Sequence, residues 1–522
     1  MNLLNDAWIP VRRKSGAVER IAPWEVTTDY ATDPMVALAA PRPDFNGALI
    51  QFLIGLLQTT CAPASERAWH AWRRDPPTPD TLRTACQGIA FAFELDGDEA
   101  RFMQDTALKL GSGKDAVPIS ALLIDTPGEN AVQRNTDHFT KRGGIGQLCA
   151  ACTATALFAL QTNAPSGGQG HRTSLRGGGP LTTLLLGDTL WQTAWLNVLE
   201  QRTFLAHHTA HEHETPQQHF PWLGPTRTSE KGSPTEKTTP LDVHPDQYFW
   251  AMPRRLWLLP ERATSPAACD VCGDTTTTRY CRYVTKNYGV NYEGPWLHPL
   301  SPYYLDKTDK TTPPNPVHPQ PGGIGYRHWL GCIENTADNL RRIAQVVEQH
   351  HRLLREDGRL WAFGYHVDKG KICCWYDAEM PIIFVAEEIS VEYKAYIENS
   401  IAAADQVVKD LRQAVRNALF RRPADVRGDF SHLDGRFWSA TEPAFYDLLY
   451  RLRDALQAGA DITPLHQEWY ATLRSTARRI FDDVSQTGDF NAADPRRIAR
   501  AWNNLNKALA GKKLRDLLML AA

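Results

Sequence analysis

The spacing of apolar residues predicts helices in the first part of the chain. From Asp44 onward, apolar side chains recur at the three- and four-residue intervals of one helix face, and Asp44 is a suitable capping residue. Thr78 similarly caps a second predicted helix, Pro79–Phe93, and the apolar run after Cys149 predicts a buried third one. Residues 1–30 have the pattern of short strands and turns.

Beyond about residue 385 the pattern changes to amphipathic helices joined by polar links. Ala, Leu, Arg, Asp and Gln recur there at helical spacing, and Asp494–Pro495 places a capping residue before a proline at the first helical position. Four such helices of similar length are typical of an antiparallel bundle. The predicted segments lie near residues 388–420, 443–459, 464–486 and 494–520.

Stretches of low periodicity interrupt the region before the helices. Residues 111–147 predict a long loop, and the polar residues 207–240 predict a surface excursion, as do the proline-rich residues 306–325. The fold class that follows is α+β. We expect an irregular, mixed α/β domain over residues 1–385 and a four-helix bundle over residues 386–522.

Composition narrows the class of protein. A net charge of −2 over 522 residues argues against a protein that coats nucleic acid over its whole surface, although a local basic patch remains compatible with it. The chain reaches Asp6 and Pro10 too early for a signal peptide. No stretch approaches the roughly 18 apolar residues that span a bilayer. The sequence therefore predicts a cytoplasmic protein.

Four of the ten cysteines form two C-x-x-C pairs, Cys149 with Cys152 and Cys269 with Cys272, about 120 residues apart. In a reducing compartment this spacing favours a metal over disulfides. Four thiolates complete a tetrahedral Zn²⁺ site with no open position, which is the structural kind of zinc site. The alternative is four ordinary buried cysteines.

A glycine-rich, basic region is the strongest signal for nucleic acid. Residues 139–187 contain Lys141, Arg142, Arg172 and Arg176 and no acidic residue. Glycine allows a backbone to approach a partner closely, and cations neutralise phosphates. Composition alone fits a flexible surface loop with turn glycines equally well.

Motifs of enzymes are incomplete in this chain. Residues 111–114 resemble the end of a phosphate-binding loop, but Leu108 and Asp115 stand where that motif needs Gly and Ser or Thr. The zinc-protease pattern fails at residues 211–213, because Thr215 stands where the second histidine is required. Catalytic groups can also come from distant positions, so a zinc-dependent hydrolase or nuclease with dispersed catalytic residues stays as the alternative function.

Several motifs also occur in an order that is known from one family. They are LLNDAWIPV at residues 3–11, NTDHF at 135–139 before KRG at 141–143, LCAAC at 148–152, APSGGQGHRTSLRGG at 164–178, the segment 269–280, WLHP at 296–299 and GY at 364–365. In these motifs the chain resembles the CasA family, the large subunit of type I-E CRISPR Cascade complexes. The resemblance covers residues 1 to about 385, and the helices beyond match in type and place.

The resemblance implies a non-catalytic, DNA-binding subunit. A protein of this family assembles with the other Cascade subunits and crRNA, and it recognises the protospacer-adjacent motif on double-stranded DNA. It also helps to initiate strand separation and provides a docking site for the CRISPR helicase–nuclease. Guide pairing then reads the target while the protein reads the short flank. The four cysteines fall where family members bind structural zinc.

Position by position, the resemblance implies DNA contacts in separate segments. A glycine loop approaches the minor groove, whose pattern permits tolerant recognition. Asn287 stands where the family has a lysine contact, and Lys369 stands where it has a glutamine wedge; both departures affect the expected motif preference and strand opening. The residues implied are Phe139, Lys141, Arg142, Ser166, Gly167, Gly168, Gln169, Gly170, Arg172, Lys286, Asn287, Asp368 and Lys369.

Overall fold

The computed structural model describes residues 1–109, 116–127, 132–135, 137, 143–168, 170–206, 214–307, 312–336, 340–428, 430–486 and 494–520. The chain divides into two compact units. Unit 1 contains Met1–Pro319, Asn335–Leu354 and Leu360–Asp377, and unit 2 contains Gln320–Glu334, Arg355–Arg359 and Ala378–Ala522. The predicted fold class, a mixed α/β region followed by a helical C-terminal region, is confirmed. The domain boundary after residue 385 stays a prediction.

The strands are short, apart from two long hairpins. They are β1 Ile9–Arg13, β2 Val18–Ile21, β3 Met35–Leu38, β4 Ala116–Pro118, β5 Leu148–Cys149, β6 Thr182–Leu186, β7 Arg255–Ala268, β8 Thr275–Lys286, β9 Tyr303–Tyr304, β10 Asn315–Pro316, β11 Arg341–Arg342, β12 Gly358–Asp368 and β13 Lys371–Ile382.

The helices before residue 386 are short, apart from two that cross the core of unit 1. They are α1 Pro43–Cys61, α2 Glu66–Arg74, α3 Pro79–Gln87, α4 Ala150–Asn163, α5 Leu190–Leu196, α6 Gln201–Phe204, α7 Pro216–His219, α8 Gln247–Trp250, α9 Trp329–Ile333 and α10 Gln345–Leu353. The later helices are α11 Glu387–Leu419, α12 Ser431–Gln457, α13 Thr463–Gln486, α14 Pro495–Leu509 and α15 Lys512–Leu517.

The β7–β8 hairpin organises the sheet that carries the cysteines. β8 pairs with β7, β4 and β5, all antiparallel, and β5 joins it through the pairs Leu148↔Tyr280 and Cys149↔Arg279. Pro260 lies in β7, where a β-bulge accommodates its missing N–H. Because β5 continues directly into α4, this pairing brings the start of α4 to the β7–β8 hairpin.

Aromatic side chains fill the core of unit 1. Phe52 on α1 lies 5.3 Å from Trp8, 5.6 Å from Phe158 on α4 and 5.5 Å from Trp250, measured between ring centroids, and all three contacts are edge-to-face. That geometry suits the quadrupoles of the rings. The aromatic core therefore fixes α1 against α4, the helix that begins at the first cysteine pair.

The segment predicted as a surface excursion over residues 207–240 is buried in part. Phe220 and Trp222 are 3% and 1% exposed, and Nε1 of Trp222 donates to the carbonyl oxygen of Ala92 at 2.6 Å. The prediction was wrong for these residues because two aromatic side chains within a polar stretch are enough to anchor it in a core.

Unit 2 packs its long helices around aromatic side chains. α11 contacts α12, α13, α14 and α15, and α12 also packs along α13. The ring of Tyr326 lies 4.2 Å from Phe445 and 4.9 Å from Trp438, between centroids. α12 begins at Ser431 rather than near 443, because Pro443 is tolerated inside the helix. The last predicted helix is two helices, which are separated at Gly511.

Candidate functional site

The first cysteine pair lies where β5 becomes α4. Cys149 ends the strand and caps the helix, and its Sγ accepts a hydrogen bond from the N–H of Cys152 at 3.4 Å. A residue three positions after a helix cap returns to the same side of the first turn. The two sulfur atoms of this pair therefore point to one side of the helix N-terminus.

The second pair lies in the turn between β7 and β8. Asp270 fixes this turn against the chain before β5: its Oδ2 accepts from the N–H of Gly146 at 2.7 Å and of Gln147 at 2.8 Å. The N–H of Asp270 in turn donates to the carbonyl oxygen of Gln147 at 3.1 Å. These bonds hold Cys269 and Cys272 opposite the first pair.

The four sulfur atoms form one cluster. Sγ of Cys149 lies 3.7 Å from Sγ of Cys272, and all four lie within 4.8 Å of one another. A tetrahedral zinc ion with Zn–S bonds of about 2.3 Å needs sulfur separations of about 3.8 Å, so the residues fit zinc. Cys272 is half-buried and the other three are buried. Nη2 of Arg20, 3.6 Å from Sγ of Cys272, places a positive charge beside the cysteine cluster.

The glycine loop, Ser166–Gly170, lies at the end of a separate segment after α4. The N–H of Gly167 donates to the carbonyl oxygen of His171 at 3.4 Å, and the N–H of His171 donates to that of Gly168 at 3.3 Å. Gly168 and Gly170 have φ values of +95° and +77°, which L side chains rarely adopt. Two described positions of the loop, Gly168 and Gly170, thus have backbone conformations that favour glycine.

An arginine that sequence reasoning missed supports this loop from beneath. The guanidinium of Arg254 donates to the carbonyl oxygen of Pro165, and a Cβ on Gly167 would lie 2.6 Å from its Nη1. Burial lowers the pKa of Arg254 to about 10, which leaves the side chain charged at neutral pH. Burial, with a contribution from Arg254, also lowers the pKa of His171. The sequence signal that could have indicated Arg254 is the Pro-Arg-Arg sequence directly after the apolar residues that follow α8.

The β12–β13 turn contacts the glycine loop. Lys369 and Gly370 are its two central residues, with φ values of +48° and +79°, as a type I′ hairpin turn requires. A Cβ on Gly370 would lie 3.2 Å from the carbonyl oxygen of Ser166. Asp368 and Lys369 are exposed at the tip of the hairpin.

The end of β8 contacts the same loop. The N–H of Tyr288 donates to the carbonyl oxygen of Gly170 at 2.7 Å, and a Cβ on Gly170 would lie 2.9 Å from the Cβ of Asn287. Beneath it, the buried pair of Arg255 and Asp105, 2.6 Å apart, places Nη1 of Arg255 3.5 Å from the carbonyl oxygen of Asn287. Lys286 is exposed.

The structure therefore brings together three segments that are distant in sequence: residues 166–168 with Gly170, residues 286–288 and residues 368–370. We call them the three-segment surface. Arg172 lies beside it, because its Nε donates to Oγ of Ser229 at 2.8 Å and the N–H of Ser229 donates to the carbonyl oxygen of Tyr288 at 3.3 Å. Of the residues predicted to contact DNA, Phe139, Lys141, Arg142 and Gln169 lie outside the described residues.

Comparison with protein-family models identifies the family to which the chain belongs. Residues 2–480 match the family described as CRISPR-associated protein Cse1. The chain belongs to the Cse1 family. This confirms the resemblance to CasA that the sequence motifs indicated.

Solved Cse1 structures share the fold over nearly the whole chain. CasA of Thermus thermophilus is 18% identical, with 98% of this chain and 99% of that one covered and a TM-score of 0.68. Cse1 of Thermobifida fusca is 16% identical, with 100% and 99% covered and a TM-score of 0.70. A chain of a CRISPR RNA-guided surveillance complex is 16% identical, with 98% and 99% covered and a TM-score of 0.67.

Among the described helices of this Cse1 chain, none is both long and apolar enough to cross a bilayer. The roles of the three-segment surface in contacting DNA stay predictions.

Proposed function

We propose that this chain is the non-catalytic large subunit of a crRNA-guided type I-E Cascade complex and that its three-segment surface reads the protospacer-adjacent motif on double-stranded DNA. The proposal rests on membership of the Cse1 family and on one observation. Three segments, each of which the sequence resemblance implies to contact DNA, lie against one another, and the bond between Tyr288 and Gly170 joins two of them directly.

The positive charge on this surface favours contact with the phosphate backbone of DNA. Lys286 and Lys369 are exposed, and the charged Arg254 lies directly beneath the glycine loop. Lysines at such positions neutralise phosphates and release counterions. Asp368 is the acidic residue within the three segments, and it lies beside Lys369 at the hairpin tip.

The glycine loop supports a close approach to a groove. A Cβ built on Gly168 would have no heavy atom within 4 Å among the described residues beyond its chain neighbours, so that side of the loop is open to a partner. Backbone groups can then approach base edges without an intervening side chain. Minor-groove readout separates A·T from G·C poorly, so we expect a tolerant preference for the flanking motif.

The β12–β13 hairpin is the element that we propose to help initiate strand separation. Its two-residue turn presents Lys369 at a narrow tip, and the contact between Gly370 and Ser166 sets that tip beside the glycine loop. A lysine there can contact a phosphate of a displaced strand, whereas the glutamine of the family would do so without charge.

The remaining parts of the proposal concern metal, partners and location. We assign a structural Zn²⁺ to the four cysteines, because four thiolates leave no position for a catalytic water and so disfavour the zinc-dependent hydrolase or nuclease. The partners are the other Cascade subunits, crRNA, the DNA duplex and the helicase–nuclease, which we propose to dock on this chain. The complex would act in the cytoplasm.

The deciding experiment is a reconstitution of the guide-bearing complex with and without this chain. A matched duplex with a permissive or a scrambled flank is titrated into each assembly at a fixed salt concentration. We expect tight binding only when this chain and the permissive flank are both present. Equal binding without the chain would reject the role in reading the flank. A separate pull-down with the helicase–nuclease tests docking.

A further inference from the structure

A second group of metal-ligating side chains lies in unit 1, around α7 and the segment before α8. It consists of Glu214, His219 and His244, with Asp246 behind the two histidines. Each of the first three offers one ligand atom, and these atoms lie within 4.8 Å of one another. None of the four belongs to the cysteine cluster or to the three-segment surface.

The backbone holds this group together independently of its side chains. The carbonyl oxygen of Gln218 accepts from the N–H of His244 at 3.2 Å and from Nε2 of Gln247 at 2.7 Å. α7 is therefore fixed against residues 244–247. The imidazole rings of His219 and His244 stack with centroids 4.0 Å apart as a result.

The hydrogen bonds of His219 leave one nitrogen directed at a second ligand. Its Nδ1 lies 2.8 Å from Oδ2 of Asp246, and its Nε2 lies 3.7 Å from Oε2 of Glu214. A carboxylate that accepts from one imidazole nitrogen fixes the tautomer and leaves the other nitrogen able to bind a metal. Asp246 has a side chain only 6% exposed, so it is suited to this supporting role.

The second histidine is held by the same carboxylate. Nδ1 of His244 lies 3.2 Å from Oδ2 of Asp246 and 3.1 Å from the main-chain nitrogen of Asp246. The tautomer that carries its proton on Nδ1 donates to Oδ2 and leaves the lone pair of Nε2 for a metal. A divalent cation between the two rings and Glu214 would use one lone pair of each imidazole and one carboxylate oxygen.

We infer that Glu214, His219 and His244 form a binding site for a divalent first-row transition metal, with Asp246 as the residue that orients His219. Two imidazoles and one carboxylate suit Zn²⁺, and other metals of this row bind the same set of ligands. The side chains of Glu214 and His219 are 28% and 27% exposed, so the site is open to solvent on one side. The inference does not depend on the proposed function.

Zinc content and cobalt spectra of the full-length protein test the site. After loading with Zn²⁺ and removal of weakly bound metal, we expect two zinc ions per chain, one of them at the cysteines. Co²⁺ distinguishes the two sites, because thiolate ligation gives intense charge-transfer absorption that histidine and carboxylate ligands lack. The second Co²⁺ should thus add only weak visible bands.

Substitutions assign the second ion. The double substitution His219→Gln and His244→Gln should reduce the zinc content from two ions per chain to one. Asp246→Asn should lower the affinity for the second ion by about 10- to 100-fold. Glu214→Gln lies at an exposed residue and tests the site if the histidine variant fails to fold. The control replaces the four histidines at positions 207, 208, 211 and 213 with Gln, and it should keep two ions.

Two results would overturn the inference. One is a wild-type protein that holds a single zinc ion with a purely thiolate cobalt spectrum. The other concerns the second ion: it is retained in Glu214→Gln, or in the variant that lacks both His219 and His244, but it is lost in the control variant. That result would assign the ion to the histidines before residue 214.

Discussion

The N–H of Tyr288 donates a 2.7 Å hydrogen bond to the carbonyl oxygen of Gly170. This bond joins the end of β8 to the glycine loop, and Tyr288 has a φ of +63°, which costs a non-glycine residue about 1–2 kcal/mol. Close packing maintains the strain: a Cβ on Gly289 would lie 1.9 Å from the carbonyl oxygen of Pro253. The junction between the two segments is therefore fixed within the chain itself.

Gly170→Ala should disrupt this junction. The new Cβ would lie 2.9 Å from the Cβ of Asn287 at a φ of +77°, so the loop or Asn287 must shift. We expect the reconstituted complex to lose discrimination between permissive and scrambled flanks. Titration of each duplex into the complex measures this discrimination.

Gly232→Ala is the matched control for that substitution. Gly232 has a φ of +80°, and in the part of the chain that the structure describes a Cβ on it would meet no heavy atom within 4 Å. It carries the same backbone strain of about 1 kcal/mol without the contact. Equal loss of discrimination in both variants would show that strain alone, and not the junction, is responsible.

Lys369→Asn separates the charge of the hairpin tip from its shape. Asn-Gly is the preferred pair for a type I′ turn, and Asn adopts a positive φ more readily than Lys. The melting temperature should stay unchanged or rise slightly. DNA affinity should fall, and the slope of log K against log salt should decrease by about one if Lys369 contacts a phosphate.

Lys14→Asn is the control, because Lys14 is an exposed lysine of unit 1 in the turn between β1 and β2. It should leave the affinity and the salt slope as they are. An unaltered slope in Lys369→Asn would argue against a phosphate contact at the hairpin tip.

The sequence predicted the cysteine cluster better than the helix ends. Two C-x-x-C pairs specify their ligands by spacing, so the grouping of Cys149 with Cys272 required no knowledge of the β5–β8 pairing that produces it. Helix limits depend on tertiary packing. Pro79–Phe93 was expected as one helix, but α3 ends at Gln87 before Gly88, and Ala90–Phe93 is a 3₁₀ helix.

The support of the glycine loop could not be predicted from composition. Arg254 and Tyr288 are ordinary residues in sequence, and their importance comes from long-range contacts with Pro165 and Gly170. Family resemblance placed Asn287 and Lys369 in the binding role, but it said nothing of their contacts with the loop. Such pairings between distant segments are set by the folded backbone, not by any local pattern.

Cys272→Ser should remove the structural metal. It leaves three thiolates, and because metal binding at such a site is part of the folding free energy, we expect a loss of about 4 kcal/mol or more. Metal analysis and thermal unfolding measure both effects. Cys373→Ser is the control, since Cys373 is an exposed free cysteine on β13; it should retain the metal and the melting temperature. Retention of one thiolate-bound zinc by Cys272→Ser would contradict the assignment.

His350 on α10 should make the stability of unit 1 depend on pH. Its burial, with contributions from His351 and Arg73, lowers its pKa from 6.5 to about 4. Above pH 6.5 the residue is neutral in both states, so its full contribution is present. As the pH falls from 6.5 toward 4, the unfolded chain takes up the proton first, and the folded state loses stability.

Replacing the imidazole of His350 should therefore weaken the dependence of the unfolding free energy on pH. Between pH 7 and pH 5 the wild-type protein should lose about 2 kcal/mol of unfolding free energy through His350, and His350→Gln should not show this loss. Urea unfolding at the two pH values measures the difference. His351→Gln removes the neighbouring imidazole and should keep most of the dependence, because burial is the larger cause. An equal loss in His350→Gln and wild type would mean that other groups carry the acid sensitivity.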